Sequence, residues 1–296
     1  MLLREDFNVK LLNPTILIKL LFNHMDAWTV AFVIAALSIA LHDALNMQTG
    51  LFLLAVIVGY WLAFALNDYC DAPFDAQDDE KAKGNYFTYL THIPRIRINI
   101  LFVTVITLLF FCFAQFGLRG ILLFATCVFI MWAYSARPLR LKNRPGYDLF
   151  VHAFFVETFP YFMGLVLSNA VWNRLDFAIL SILFLSSLST QMWQQVRDFE
   201  VDSMSETNFA THIGRDKAVA YLRVVTAVLL IVCISFIFSG TIPLLVVPLG
   251  LLALPATLHR LTRYYAEPLS KWTVTISATS GLVYMGFIFI YLLVLT

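Results

Sequence analysis

Residues 51–75 read LFLLAVIVGYWLAFALNDYCDAPFD. An apolar run, Leu51–Leu66, passes without a break into Asn67-Asp68-Tyr69-Cys70-Asp71-Ala72-Pro73-Phe74-Asp75. The run does not alternate every second residue, so it reads as a membrane helix and not as a barrel strand. Continued through the acidic stretch, helical geometry spaces Asn67, Asp71 and Asp75 at i, i+4, i+8 and Asp68, Asp71 and Asp75 at i, i+3, i+7. Either set lies on one face. Carboxylates beside a membrane core are expensive and are rarely there without a role.

The rest of the chain has the same character. Its 296 residues are 60% hydrophobic and 13% charged, with a mean hydropathy of +0.79, far from a soluble globular composition. Nine spans are predicted: Trp28–Leu45, Leu51–Leu66, Ile98–Phe116, Ile121–Tyr134, Asp148–Leu167, Phe177–Val196, Ala218–Phe238, Ile242–Leu258 and Val274–Leu295. The fold class is therefore all-α, a polytopic membrane protein of nine transmembrane helices, in a single domain over residues 1–296. Arg4, Lys10 and Lys19 precede the first span, and the apolar stretch there runs on through Asn23-His24-Met25-Asp26. It does not read as a cleavable signal peptide. Net charge is +1, and no nucleic-acid partner is expected.

Charge placement orients the spans. Alternating loops put 18 of the 20 Lys and Arg on one side, leaving only Arg119 and Arg174 on the other. By the positive-inside rule the first side is cytoplasmic. The stretch at 67–75 falls there, and so does a second acidic motif, Arg197-Asp198-Phe199-Glu200-Val201-Asp202. Asp198 and Asp202 share a helical face with Gln194, Gln191 and Ser187, a polar stripe that points at a cavity or a neighbour and not at lipid. Asp78, Asp79 and Glu80 have no facial spacing with the first motif and read as loop charge. Cys70, Cys112, Cys127 and Cys233 show neither zinc nor disulfide spacing and read as structural.

Clustered carboxylates repel: two unit charges 4 Å apart cost about 4 kcal/mol at an effective dielectric of about 20. Mg2+ is the natural counter-charge, since it takes oxygen ligands and is held by one or two carboxylates plus substrate phosphates. Two such clusters would clamp a diphosphate. A third segment, Tyr134-Ser135-Ala136-Arg137-Pro138-Leu139-Arg140-Leu141-Lys142, offers basic groups and a phenol to diphosphate oxygens, or serves only as a positive-inside loop. Lys81 and Lys83 pose the same alternative.

The order N-D-x-x-D-x-x-x-D, Y-S-x-x-P-L-R-L-K, D-x-x-x-D, after the second, fourth and sixth spans, resembles the UbiA superfamily of intramembrane prenyltransferases over essentially the whole chain. The resemblance implies a bundle with a central cavity open laterally to lipid. It implies Mg2+ at Asp68, Asp71, Asp75, Asp198 and Asp202, with Asp68, Asp71, Asp198 and Asp202 as catalytic residues. It also implies diphosphate contacts from Asn67, Tyr134, Arg137 and Lys142. The activity implied is ionisation of an allylic prenyl diphosphate and alkylation of a lipophilic or aromatic acceptor within the membrane. The segments Asp79–Asn85 and Ser203–Phe209 differ from the branches acting on aromatic acids and quinone precursors.

Two alternatives accompany this reading. A terpene cyclase on the same scaffold would need no acceptor. A transporter would show metal-independent flux, but its site would sit nearer the midplane than these motifs do. Inside the fifth span, His152 and Glu157 precede Pro160, which removes a backbone donor and predicts a kink. Glu157 either orients or deprotonates an acceptor, or forms a structural pair with His152. His24 and Asp26, before the first span, either close the pocket or sit in the headgroups, and the headgroups are the favoured reading.

Overall fold

The structure, a computed structural model, describes residues 22–77, 79–90, 94–205, 207–262 and 270–295. Arg4, Lys10, Lys19, Asp78, Glu206 and Arg263 lie outside the described residues. The described residues form α-helices with short 3-10 and π turns. In chain order these are α1 (Met25–Ala40), α2 (Met47–Asp75), α3 (Asp79–Gly84), α4 (Arg95–Ala114), α5 (Gly117–Ser135), α6 (Tyr147–Ala153), α7 (Phe159–Leu167), α8 (Arg174–Arg197), α9 (Phe199–Ser205), α10 (Phe209–Ile213), α11 (Arg215–Phe238), α12 (Val247–Thr262) and α13 (Lys271–Leu295). A π turn, Phe154–Thr158, joins α6 and α7 into one span, Tyr147–Leu167.

Eight helices among the described residues are long and apolar enough to cross a membrane. The nine expected full-length spans are one too many. The expected Trp28–Leu45 is α1, of only 16 residues. It stops where His42 and Asp43 enter, Asp43 taking a left-handed backbone with φ of 48°. At 1.5 Å per residue α1 is about 24 Å long, short of a hydrocarbon core of about 30 Å.

α2 has 29 residues, or about 43 Å. Met47–Leu66 alone match the hydrocarbon thickness, so Asn67–Asp75 project beyond it while still helical. Pro73 lies in the last turns, and the helix ends two residues later. Pro160 was expected to kink the fifth span. There the chain widens: the Phe159 N–H bonds the Phe154 carbonyl, an i to i−5 step, and Thr158 Oγ1 bonds the Ala153 carbonyl at 3.1 Å. The π turn absorbs the missing donor.

The chain divides into two compact units, Met1–Val33 with Gly50–Arg140, and Ile34–Thr49 with Leu141–Thr296. In the first, α4 and α5 form a tight hairpin, Gly117 turning at φ of 66°. A Cβ at Gly120 would collide with the Phe113 carbonyl. Tyr69 meets Phe87 and Phe102, each at 5.7 Å between ring centroids. In the second unit, Ile34, Tyr161 and Leu165 form one core, and Leu149, Met192 and Leu222 another. A Cβ at Gly164 would run into the Ser38 hydroxyl, so α1 and α7 touch almost backbone to backbone there. Asn173 caps α8 in a reciprocal box with Asp176. The buried Asp176 carboxylate also accepts from Tyr161 Oη at 2.8 Å and meets His42 Nε2 at 2.9 Å.

Candidate functional site

The first acidic motif occupies the projecting turns of α2. The Tyr69 aromatic contacts fix the rotation of these turns, and each carboxylate already has a counter-group. Asp68 is buried and accepts from Asn23 Nδ2 at 2.8 Å, with His24 Nε2 at 3.0 Å from the same oxygen. Burial alone would lower the His24 pKa. The Asp68 hydrogen bond and charge, helped by Asp26, outweigh it and raise the pKa above the usual histidine range. His24 therefore belongs to the motif. Its ring also stacks on Phe64 at 4.9 Å.

Asp71 pairs with Arg140 Nη2 at 3.0 Å, both side chains about 15% exposed, and the guanidinium lies over the Phe74 ring at 4.3 Å. Asp75 accepts from Asn85 Nδ2 at 2.8 Å. The same amide donates to the Asp68 carbonyl at 2.7 Å, tying both ends of the motif together. Ser135 donates to Asn67 Oδ1 at 3.3 Å. Tyr134 lies on the last turn of α5, Arg137 is exposed beyond it, and Lys142 sits on the 3-10 turn Leu141–Asn143.

The second motif straddles a helix break. α8 ends at Arg197, Asp198 caps it, and Asp202 lies on α9. The i, i+4 relation survives the break, because the Asp202 N–H bonds the Asp198 carbonyl at 2.9 Å. Arg197 holds Asp198 through two bonds, at 2.8 and 2.7 Å, and lies over Trp193. Both partners are about 40% exposed, so the pair contributes little to stability and is easily exchanged. Asn208 donates to Asp202 at 2.9 Å and caps α10.

Behind this segment lies Asp148, 1% exposed at the start of α6. Its Oδ2 accepts from Gln195 Nε2 at 2.6 Å and from the Phe209 N–H at 2.8 Å. Gln195 Oε1 in turn accepts from the Ala210 N–H at 3.2 Å. Asp148 and Gln195 thus clamp the chain that follows the second motif.

Among the described residues, no three His, Cys, Asp or Glu side chains gather closely enough to hold a metal by themselves. The donor set nevertheless fits Mg2+: hard carboxylate and amide oxygens, in the one-or-two-carboxylate arrangement that leaves other positions for phosphate and water. Asn23, His24, Asn85, Asp148, Gln195 and Asn208 were not singled out in the sequence as motif partners. Only Arg140 carried a signal, its place in the basic segment 134–142.

The sequence profile of the UbiA prenyltransferase family matches residues 27–293. No curated protein matches the chain. Among solved structures, a UbiA homolog from Archaeoglobus fulgidus bound to GPP and Mg2+ is similar at 16% identity with a TM-score of 0.72, over 93% of this chain and 98% of that one. The Archaeoglobus fulgidus homolog bound to DMAPP and Mg2+ gives 16% identity and a TM-score of 0.70, over 93% and 99%. Bound to Cd2+, it gives 16% and 0.67, over 93% and 100%. An all-helical membrane chain with two acidic motifs at helix ends, matched by that profile over nearly its whole length, belongs to the UbiA prenyltransferase family.

Proposed function

We propose that this chain is one catalytic domain that transfers a prenyl group from an isoprenyl diphosphate to a lipophilic acceptor in the membrane, with Mg2+ as cofactor. The observation that carries the reading is the first motif, where three carboxylates on projecting turns of one helix are each held by polar side chains: Asp68 by Asn23 and His24, Asp71 by Arg140 and Asp75 by Asn85. The family match and the solved homolog bound to GPP or DMAPP with Mg2+ support it.

Asp68, Asp71, Asp75, Asp198 and Asp202 would hold Mg2+, which when bound neutralises diphosphate charge as the allylic carbon–oxygen bond breaks. Asn67, Tyr134, Arg137 and Lys142 would contact the diphosphate, and we add Arg140 to them. In this reading Arg140 holds Asp71 in place before substrate arrives and then offers its planar fork to phosphate oxygens. Asn85 keeps Asp68 and Asp75 in register. Aromatic side chains of the spans exclude water and offer their faces to developing positive charge. Both motifs would face the cytoplasm.

The test is turnover of geranyl, farnesyl and geranylgeranyl diphosphates by purified protein with Mg2+, first without and then with acceptors, following diphosphate release and lipid products. Acceptor-dependent alkylation, lost in Asp68→Ala and Asp198→Ala, is expected. Cyclised product without any acceptor would establish the cyclase alternative and sink the transfer reading.

A further inference from the structure

The second motif lies on a stretch of chain that is closed at its base. Gln195 is the third residue before Asp198, and its side chain reaches the start of α10, where Oε1 accepts from the Ala210 N–H at 3.2 Å. Val196 and Ala210 also share one small apolar core with Ala218 and Val219. Asp198 and Asp202 both fall between these two ends. The buried Asp148 carboxylate joins the ends from a third element, α6. Its Oδ2 accepts from Gln195 Nε2 at 2.6 Å and from the Phe209 N–H at 2.8 Å.

The first N–H groups of any helix have no partner inside it. In α10 three side chains serve them in order. The Phe209 N–H goes to Asp148, the Ala210 N–H to Gln195, and the Thr211 N–H to Asn208 Oδ1 at 3.0 Å. That last bond fixes the Asn208 amide: its oxygen is turned to the helix, which leaves its nitrogen to donate elsewhere. The nitrogen donates to Asp202 Oδ2 at 2.9 Å. Asn, Asp and Ser cap a helix about equally well, but only Asn adds an amide donor. An amide on one oxygen sets the plane of a carboxylate, and so the direction from which a metal meets it.

We infer that Asp148 is a positioning residue for the metal at the second motif, acting with Gln195 through the start of α10 and Asn208 on Asp202. Asp148 belongs to neither acidic motif and touches neither metal nor diphosphate in this arrangement. Its removal leaves Gln195 Nε2 and the Phe209 N–H buried without a partner, which drives the first turn of α10 to shift. Asn208 moves with that turn and carries its amide off the Asp202 carboxylate. The inference rests on the prenyl-transfer reading, in which Asp202 holds Mg2+.

The test is binding of Mn2+, an oxygen-seeking stand-in for Mg2+, to the full-length purified protein with geranyl thiolodiphosphate, read from loss of the free-Mn2+ EPR signal. Asn208→Ser keeps a cap on α10 but not the amide donor. It is expected to melt close to the wild type and yet bind Mn2+ about tenfold or more weakly, a split that a purely structural role would not give. Asp148→Ala is expected to weaken Mn2+ binding to a similar degree. Asp148→Asn, which keeps an oxygen for Gln195 and Phe209, is expected to stay within about twofold of the wild type. Asp148→Ala combined with Asn208→Ser is expected to bind no more weakly than Asn208→Ser alone, because both break one chain of contacts. Wild-type affinity in Asn208→Ser or in folded Asp148→Ala, or losses that multiply in the double variant, overturns the inference. If Asp148→Ala does not fold, Gln195→Met, which removes both Gln195 bonds at similar length, takes its place in the cycle. Absence of thiolodiphosphate-dependent Mn2+ binding in the wild type would sink the prenyl-diphosphate reading and the inference with it, whereas wild-type binding unchanged in the variants sinks the inference alone.

Discussion

Arg140 and His24 are two of the few non-glycine residues with a left-handed backbone, at φ of 39° and 55°, and each places its side chain on a carboxylate of the first motif. Such a conformation persists only where surrounding contacts over-determine it. For Arg140 those contacts are the Asp71 ion pair and the Phe74 ring. Arg140→Leu should lower kcat/KM for the prenyl diphosphate about 10- to 100-fold, while Arg140→Lys, which keeps the charge but loses the fork and the stacking, should fall between. Steady-state diphosphate release measures both, and a wild-type rate in Arg140→Leu would remove Arg140 from the site. Asp148 makes a different prediction. Only its Oδ2 is bonded, and Oδ1 has no partner. An asparagine can put its carbonyl oxygen where Oδ2 lies, so Asp148→Asn should melt close to the wild type. Asp148→Ala leaves Gln195 and the Phe209 N–H unpaired and should lose about 2 kcal/mol. Equal melting of the two variants would show that the clamp carries no weight. These partners were not legible in the sequence for a simple reason. His24 lies 44 residues from Asp68 and Arg140 lies 69 from Asp71, and facial spacing reports only on neighbours within one helix.

At the scale of elements, the helical continuation of α2 through the first motif was readable, because an apolar run and acids at i, i+3, i+7 obey one period. The break at Asp198 was not, since the i, i+4 spacing of Asp198 and Asp202 survives it. Nor was the π turn, for an i to i−5 step has no compositional mark; Pro160 announced a disturbance without its form. The meeting of α1 with α7 was hidden as well, because Gly164 reads as any small residue until Ser38 is found against it. Close approach of two helices in lipid rests on such small residues, as van der Waals contact replaces the missing hydrophobic drive. Gly164→Ala should lower the melting temperature and Gly164→Leu should lower it further. Gly164→Ala combined with Ser38→Ala should recover part of the loss, because the hydroxyl is the nearest obstruction. Strict additivity of the two substitutions in a thermal-melt cycle would contradict the contact.

For the whole molecule, the arithmetic of α1 decides the topology. The helix is too short to span by length alone, yet its two flanks are fixed at opposite ends of α2. His24 binds Asp68, beyond the apolar stretch at one end. At the other end the Ala44 carbonyl accepts from Thr49 Oγ1 at 2.7 Å, in the first turn of α2. Residues 24–47 must therefore travel the apolar length of α2, about 30 Å from Met47 to Leu66. Sixteen helical residues and the turn and short loop after them, residues 41–46, make that journey. We predict that α1 crosses, its short apolar length offset by thinning or by flanking polar groups. The basic residues then predict which end is cytoplasmic. In a chain stripped of its native cysteines, Lys83→Cys and Asn143→Cys should react with an impermeant maleimide only in inside-out vesicles. Ala44→Cys, Arg119→Cys and Val171→Cys should react only in right-side-out vesicles. Labelling of Ala44→Cys from the same side as Lys83→Cys would mean that α1 does not cross, and the His24–Asp68 contact would then have to be abandoned with it.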